Sequence, residues 1–88
     1  MKVLIEEDTK EGMDGLMGKR VLLMSAGYFY EGKLIGINET CVKLSDPHIV
    51  YNTGSWTDKT YEDRQKLHAD EWYVSLGLIE AFGVSKSV

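Results

Sequence analysis

Residues 18–46, GKRVLLMSAGYFYEGKLIGINETCVKLSD, constrain the fold more than any other stretch, because they read as three consecutive strands joined by two tight turns. From Lys19 to Ser25 the apolar positions Val21, Leu22, Leu23 and Met24 are continuous, which suits a strand covered on both faces. Ala26-Gly27 makes the first turn. Tyr28 to Ile37 then alternates, with Tyr28, Tyr30, Gly32, Leu34 and Gly36 on one face and Phe29, Glu31, Lys33, Ile35 and Ile37 on the other. Gly32 and Gly36 share a face and remove side chains where a strand would be stiff, so a sharp bend is expected there. Asn38-Glu39-Thr40 makes the second turn. Val42 and Leu44 point inward from a third strand, which Asp46-Pro47 is expected to interrupt, since proline lacks the amide donor that a central ladder needs.

The remaining elements arrange themselves around this core. Met1 to Ile5 is apolar and β-prone, an edge strand or an arm laid on a neighbouring subunit, and Asp8 or Thr9 can cap a short helix through Leu16 or Met17. Beyond Pro47, His48 to Tyr51 is extended and Asn52-Thr53-Gly54-Ser55 has turn chemistry. Residues 57–70 are polar and charged, either a long loop or a short helix begun by Thr60 with Glu62 and Lys66 at i,i+4 spacing. Trp72, Val74 and Leu76 alternate against Tyr73 and Ser75, Gly77 divides the chain, and Leu78 to Val84 is again β-prone. The tail from Ser85 is expected to fray.

Length and charge narrow the function classes. Eighty-eight residues make one domain, divided here into an arm or helix (1–17), the first three strands (18–51), a variable loop (52–70) and the last two strands (71–84). A chain this small buries a modest core alone, so assembly would help it. No apolar run approaches the length of a membrane span, the opening MKVLIEED is too acidic for a secretory signal, and the single Cys41 gives no internal disulfide. A cytoplasmic protein without membrane association is expected. The net charge of −4 opposes easy nucleic-acid binding, although residues 18–46 carry four basic groups against three acidic ones. No HxxxH or CxxC spacing, phosphate-cradling glycine loop or histidine beside Cys41 occurs, so neither catalysis, a metal nor a cofactor is expected.

The run through Gly27, Tyr30, Gly32, Leu34, Ile37 and Asn38 resembles the first motif of the Sm/LSm proteins, and SLGLIEAF, with its Gly77, resembles the second. Together the motifs cover about half of the chain. The resemblance implies a mostly β fold, a small, strongly bent five-stranded Sm-like (SH3-like) barrel with a short N-terminal helix and a long connection between the third and fourth strands. It also implies closed homo-oligomeric rings that bind single-stranded RNA or DNA, with RNA favoured. By the same resemblance, Asn38, Glu39 and Thr40, with Leu76 and Gly77, correspond to the two loops that line the ring pore and hold a nucleotide. Cys41 stands where the family's RNA-contacting Asn belongs and Leu76 where its Arg belongs, so the usual uridine pocket is altered and weak binding is expected. Asn38 is equally well explained by its tolerance of tight-turn geometry.

Tyr28 and Phe29, beside Lys19 and Arg20, could stack on unpaired bases and contact phosphate. Packing in the core or between subunits is the preferred reading, since alternation alone turns at least one aromatic of the Tyr28-Phe29-Tyr30 cluster inward. The rival to nucleic-acid binding is a ring-shaped adaptor or scaffold acting through protein contacts.

Overall fold

The computed structural model describes residues 11–86 of the chain. They form β1 (Arg20–Ser25), β2 (Phe29–Ile37), β3 (Cys41–Asn52), β4 (Asp63–Lys66), β5 (Glu71–Ser75) and β6 (Ile79–Val84), with single 3-10 turns at Asp14–Leu16 and Leu76–Leu78. All pairings are antiparallel, in the order β4-β3-β2-β1-β6. β3 is long enough to carry two partners on one flank, β5 along Cys41–Ser45 and β4 along His48–Asn52. Among the described residues no pairing joins β6 to β4 or β5, so the sheet is unclosed. The mostly β fold and the three-strand meander are as expected.

β1 is covered on both faces, as its unbroken apolar run requires. Val21 and Leu23 enter the main core with Met13, Leu34, Val42, Leu44 and Val74, while Leu22 lies on the other face with Val50 and Tyr61. Trp72 and Leu76 pack against the main core while Tyr73 stays exposed, which is the alternation read from the sequence.

Two β-bulges lie between β2 and β3 and bend this pair of strands. Between Leu34↔Leu44 and Gly36↔Lys43, two residues of β2 oppose one of β3, so Ile37 turns to the same face as Leu34 and packs against the main core. This corrects the strict alternation, which placed Ile37 on the opposite face. At the other bulge Glu31 pairs with His48 and Lys33 with Ser45, leaving Gly32 opposite Asp46 and Pro47. Pro47 therefore does not interrupt the third strand: its missing amide falls where pairing is already displaced. Its carbonyl accepts from Leu67 N at 2.9 Å, and Asp46 N donates to Asp70 O at 3.1 Å. Asp46 takes a left-handed φ of 47°, which short polar side chains tolerate better than branched ones.

Four further expectations change. The segment 52–70 is neither loop nor helix throughout, because Asp63–Lys66 forms a sixth strand on β3. The strand expected from Leu78 begins at Ile79, after the 3-10 turn. Within the described residues the N-terminal helix reduces to the turn at Asp14–Leu16, bracketed by Gly12 and Gly18 at φ 69° and 83°. The arm Met1–Ile5 and the caps Asp8 and Thr9 lie outside the described residues. Finally, Ser85 and Lys86 are anchored: Tyr61 Oη lies 2.9 Å from Ser85 Oγ, and Lys86 Nζ donates to the carbonyls of Thr53, Ser55 and Thr60.

Gly32 is where a side chain would do most harm. A Cβ there would stand 3.0 Å from Ser45 O and 3.2 Å from Leu44 Cβ, both fixed by the ladder. Gly32→Val is expected to cost about 1–3 kcal/mol through overpacking and displacement of the bulge. Thermal unfolding of the variant checks this, and an unchanged midpoint would place the bend elsewhere.

Candidate functional site

The two turns singled out by resemblance come together at one end of the sheet. Leu76 N donates to Thr40 O at 2.9 Å, continuing the β3–β5 ladder past Cys41↔Ser75 and tying Asn38–Thr40 to Leu76–Leu78. Asn38 is spent on the turn itself: its Oδ1 accepts from Thr40 N at 2.8 Å, Cys41 N at 2.9 Å and Thr40 Oγ1 at 3.1 Å. This is the local side-chain-to-backbone bonding that favours Asn in turns. Glu39 is exposed and makes no ion pair or hydrogen bond among the described residues. Leu76 is half-buried, packed against the main core. Gly77 is exposed; its φ is not left-handed and a Cβ would meet only Ser75 Oγ at 3.9 Å, so neither backbone nor crowding demands glycine there.

Beside these turns lies a small cleft of about 180 Å³ whose lining includes Asn38, Cys41, Lys43 and Tyr73. Tyr73 is 61% exposed, and Lys43 Nζ stands 5.6 Å from its ring centroid while pairing with Glu71 at 3.2 Å. Glu71 holds the Lys43 ammonium above its usual pKa. Tyr73 thus presents an exposed ring to solvent, while Lys43, like Arg20, has an acid as its partner. The sequence places Tyr73 on the face opposite Trp72 and Val74 and singles out neither Tyr73 nor Lys43 as a contact residue. Their juxtaposition follows from the β3–β5 register, which pairs Lys43 with Tyr73, and cannot be read along the chain.

Of the other candidates, Lys19 is exposed, Tyr28 is half-exposed, and Phe29 is half-buried against Leu22, Val50 and Tyr61. Arg20 is not available for phosphate. Its Nε and Nη2 each donate at 2.8 Å to the two oxygens of Glu31, and Nη1 donates to Asp46 Oδ2 at 3.0 Å. Glu31 is fully buried, and Arg64 Nε donates to its Oε1 at 3.0 Å. His48 Nδ1 lies 2.9 Å from Asp46 O, an acceptor, so that bond requires the Nδ1-protonated tautomer. Lys66 pairs with Asp46 at 3.3 Å. The cluster thus spans β1, β2, β3 and β4, and no buried side-chain polar atom of the described residues lacks a partner. No group of His, Cys, Asp and Glu among the described residues is arranged to hold a metal.

No family model, curated protein or solved structure matches the chain.

Burial opposes ionisation of Glu31, but the hydrogen bonds from Arg20 and Arg64 outweigh it and hold the carboxyl below its ordinary pKa. Asp46 is likewise lowered, by Lys66, His48 and Arg20 against a desolvation that acts the other way. Both folded pKa values lie below the unfolded ones, so the folded state binds fewer protons in the acid range. Their stabilisation is complete above the unfolded values of roughly 4 and is lost as pH falls through the lowered ones. Glu31→Gln leaves two guanidinium groups short of a counter-charge and is expected to cost about 3–5 kcal/mol at neutral pH. Chemical denaturation from pH 7 down to pH 3 checks both points: the variant should be less stable throughout and lose less on acidification. An equal acid slope in both proteins would remove Glu31 from the account.

Proposed function

We propose that this chain is an Sm-like β module that closes into a homo-oligomeric ring and holds single-stranded nucleic acid, RNA by preference on family grounds, weakly at the paired turns. The observation that carries the reading is the bond from Leu76 to Thr40, which sets both turns beside the Tyr73–Lys43 cleft. The bent sheet supports the barrel reading. β5 and β6 lie at opposite ends of the strand order, yet Val74 of β5 and Ile79 of β6 both pack against the main core, and a 3-10 turn links the two strands. Gly77 leaves room at the turn that nothing in its own subunit uses.

The ring reading rests on two open edges. Ser85 N donates to Arg20 O and Leu76 N to Thr40 O, so by antiparallel alternation Phe82 and Val84 of β6, and Tyr73 and Ser75 of β5, direct their backbone groups outward. Unpaired edges of this kind are templates for another strand, and head-to-tail pairing of β5 on β6 of the next copy satisfies both. Leu78, Phe82 and Val84 are all exposed, apolar surface that such pairing would cover. Light scattering should then give a multiple of the 10.0 kDa chain mass, and Val84→Lys should yield a folded monomer. A wild-type monomer at micromolar concentration would refute the ring.

Each subunit of a ring would set one Glu39 near the axis, where repulsion of phosphate is the term most easily removed. Glu39→Gln is expected to strengthen binding of a short unstructured RNA several-fold and Tyr73→Ala to weaken it, with affinity falling as salt rises. Leu76→Arg would give up the packing of a half-buried side chain on the main core while its guanidinium reaches solvent, and is expected to lower stability by about 1–3 kcal/mol. Fluorescence anisotropy at two salt concentrations decides: if neither wild type nor Glu39→Gln binds at low salt, the turns are not a nucleic-acid site. The adaptor reading then takes over, favoured by the commitment of Arg20 to Glu31 and by the net negative charge.

A further inference from the structure

We propose that the tyrosine face around the β1–β2 turn docks a proline-rich segment in the polyproline II conformation. One flank of this site shares Tyr73 and Leu78 with the surfaces proposed above for nucleic acid and for ring pairing, whereas its anchor Tyr28 and the flank formed by Phe29, Val50 and Tyr51 lie outside both. Tyr28 projects from the turn, 51% exposed, and its ring meets Tyr30 and Tyr51 edge-on, each with a centroid separation of 6.3 Å. Tyr51, on β3, is 56% exposed. The Tyr28 ring is a ridge with an open cleft on either side: one of about 410 Å³ against Phe29, Val50 and Tyr51, the other of about 390 Å³ against Tyr30, Tyr73 and Leu78. Ser25, Ala26 and Gly27 floor both clefts.

Three features select the occupant. First, no residue lining either cleft carries a charge, and Lys43, which stands over Tyr73, is already paired with Glu71. A phosphate chain has nothing to neutralise it here, whereas an uncharged peptide needs no counter-charge. Second, the rings meet edge-to-face, which makes ridges and grooves instead of parallel slots for bases. A polyproline II helix repeats every three residues, about 9 Å, so successive prolines can drop into the clefts on the two sides of one ring. Third, the hydroxyls of Tyr28, Tyr30 and Tyr51 have no hydrogen-bond partner among the described residues. Polyproline II leaves its carbonyls without internal partners, and tyrosine hydroxyls at the rim are the donors that meet them. The chain itself has only Pro47, which is buried in β3, so the proline-rich segment belongs to a partner.

The test uses the full chain, isotope-labelled for NMR, titrated with a proline decapeptide, a glycine-serine decapeptide and an oligouridine. The proline peptide should shift the amide resonances of residues 25–30 and 50–53 saturably and the glycine-serine peptide should not. Tyr28→Ala should weaken binding about tenfold, as expected for loss of a central aromatic anchor, and Tyr28→Phe by a smaller factor, since the ring remains and only the hydroxyl is lost. Should Tyr28→Ala disturb the fold, Gly27→Val serves instead. A Cβ at Gly27 meets nothing within 4 Å, so the variant should fold normally and obstruct both clefts. Absence of shifts with the proline peptide at millimolar concentration overturns the proposal. Salt-sensitive shifts of the same residues by oligouridine alone overturn it as well, and make the tyrosines a base-stacking platform.

Discussion

The carboxylate of Glu31 is the constraint around which the second face of the sheet is built. It is fully buried on the central strand β2, directly between Leu22 and His48 in the ladders, and it takes donors from β1 and β4. A buried carboxylate is costly unless paired and hydrogen-bonded, so its partners are not interchangeable decoration. β4 holds only four residues, exposed apart from half-buried Arg64, and contributes no apolar side chain to either core cluster. Its position against β3 therefore depends on backbone pairing together with the reach of Arg64 to Glu31 and of Lys66 to Asp46. Such a pattern favours geometric specificity over raw stability, because the bidentate fork of Arg20 fits one arrangement of the two strands.

The opposite face follows ordinary hydrophobic logic, and this explains what could be read along the chain. The apolar run of β1, the alternation of β5 and the turn chemistry at Asn38–Thr40 are local signals, and each produced the element it indicated. Where local signals misled, a long-range contact had intervened. Pro47 looks like a strand breaker, but the bulge opposite Gly32 absorbs it; Ile37 looks outward, but the extra residue at the second bulge turns it in. The strand Asp63–Lys66 has no apolar pattern at all, being DRQK, and is a strand only because β3 offers it a partner and Glu31 offers it a charge.

The site was legible to a similar degree. The two turns meet through the bond from Leu76 to Thr40, yet what each position offers depends on neighbours invisible in one dimension. Asn38 is consumed by its own turn, Leu76 by the core and Arg20 by Glu31. Conversely, Lys43 and Tyr73 meet through strand register across thirty residues of sequence. A lone basic residue in a sequence is an ambiguous signal for this reason, since pairing with a buried acid removes it from any ligand.

The anchoring of Lys86 has a consequence for how the protein is made. Its ammonium gathers three carbonyls of the 53–60 segment and stands 5.5 and 5.1 Å from the ring centroids of Trp56 and Tyr61, while β6 just before it pairs with β1. During vectorial synthesis the β1–β2–β3 meander can form from neighbours in sequence as it emerges. Tyr61, which covers Leu22 and Val50, gains its hydroxyl partners Ser85 and Lys86 only when residues 79–86 have left the ribosome, after the meander has formed. Contacts between segments far apart in sequence are the slow ones to find, and those of Lys86 and β6 join residues 79–86 to strand β1 and to the 53–61 segment.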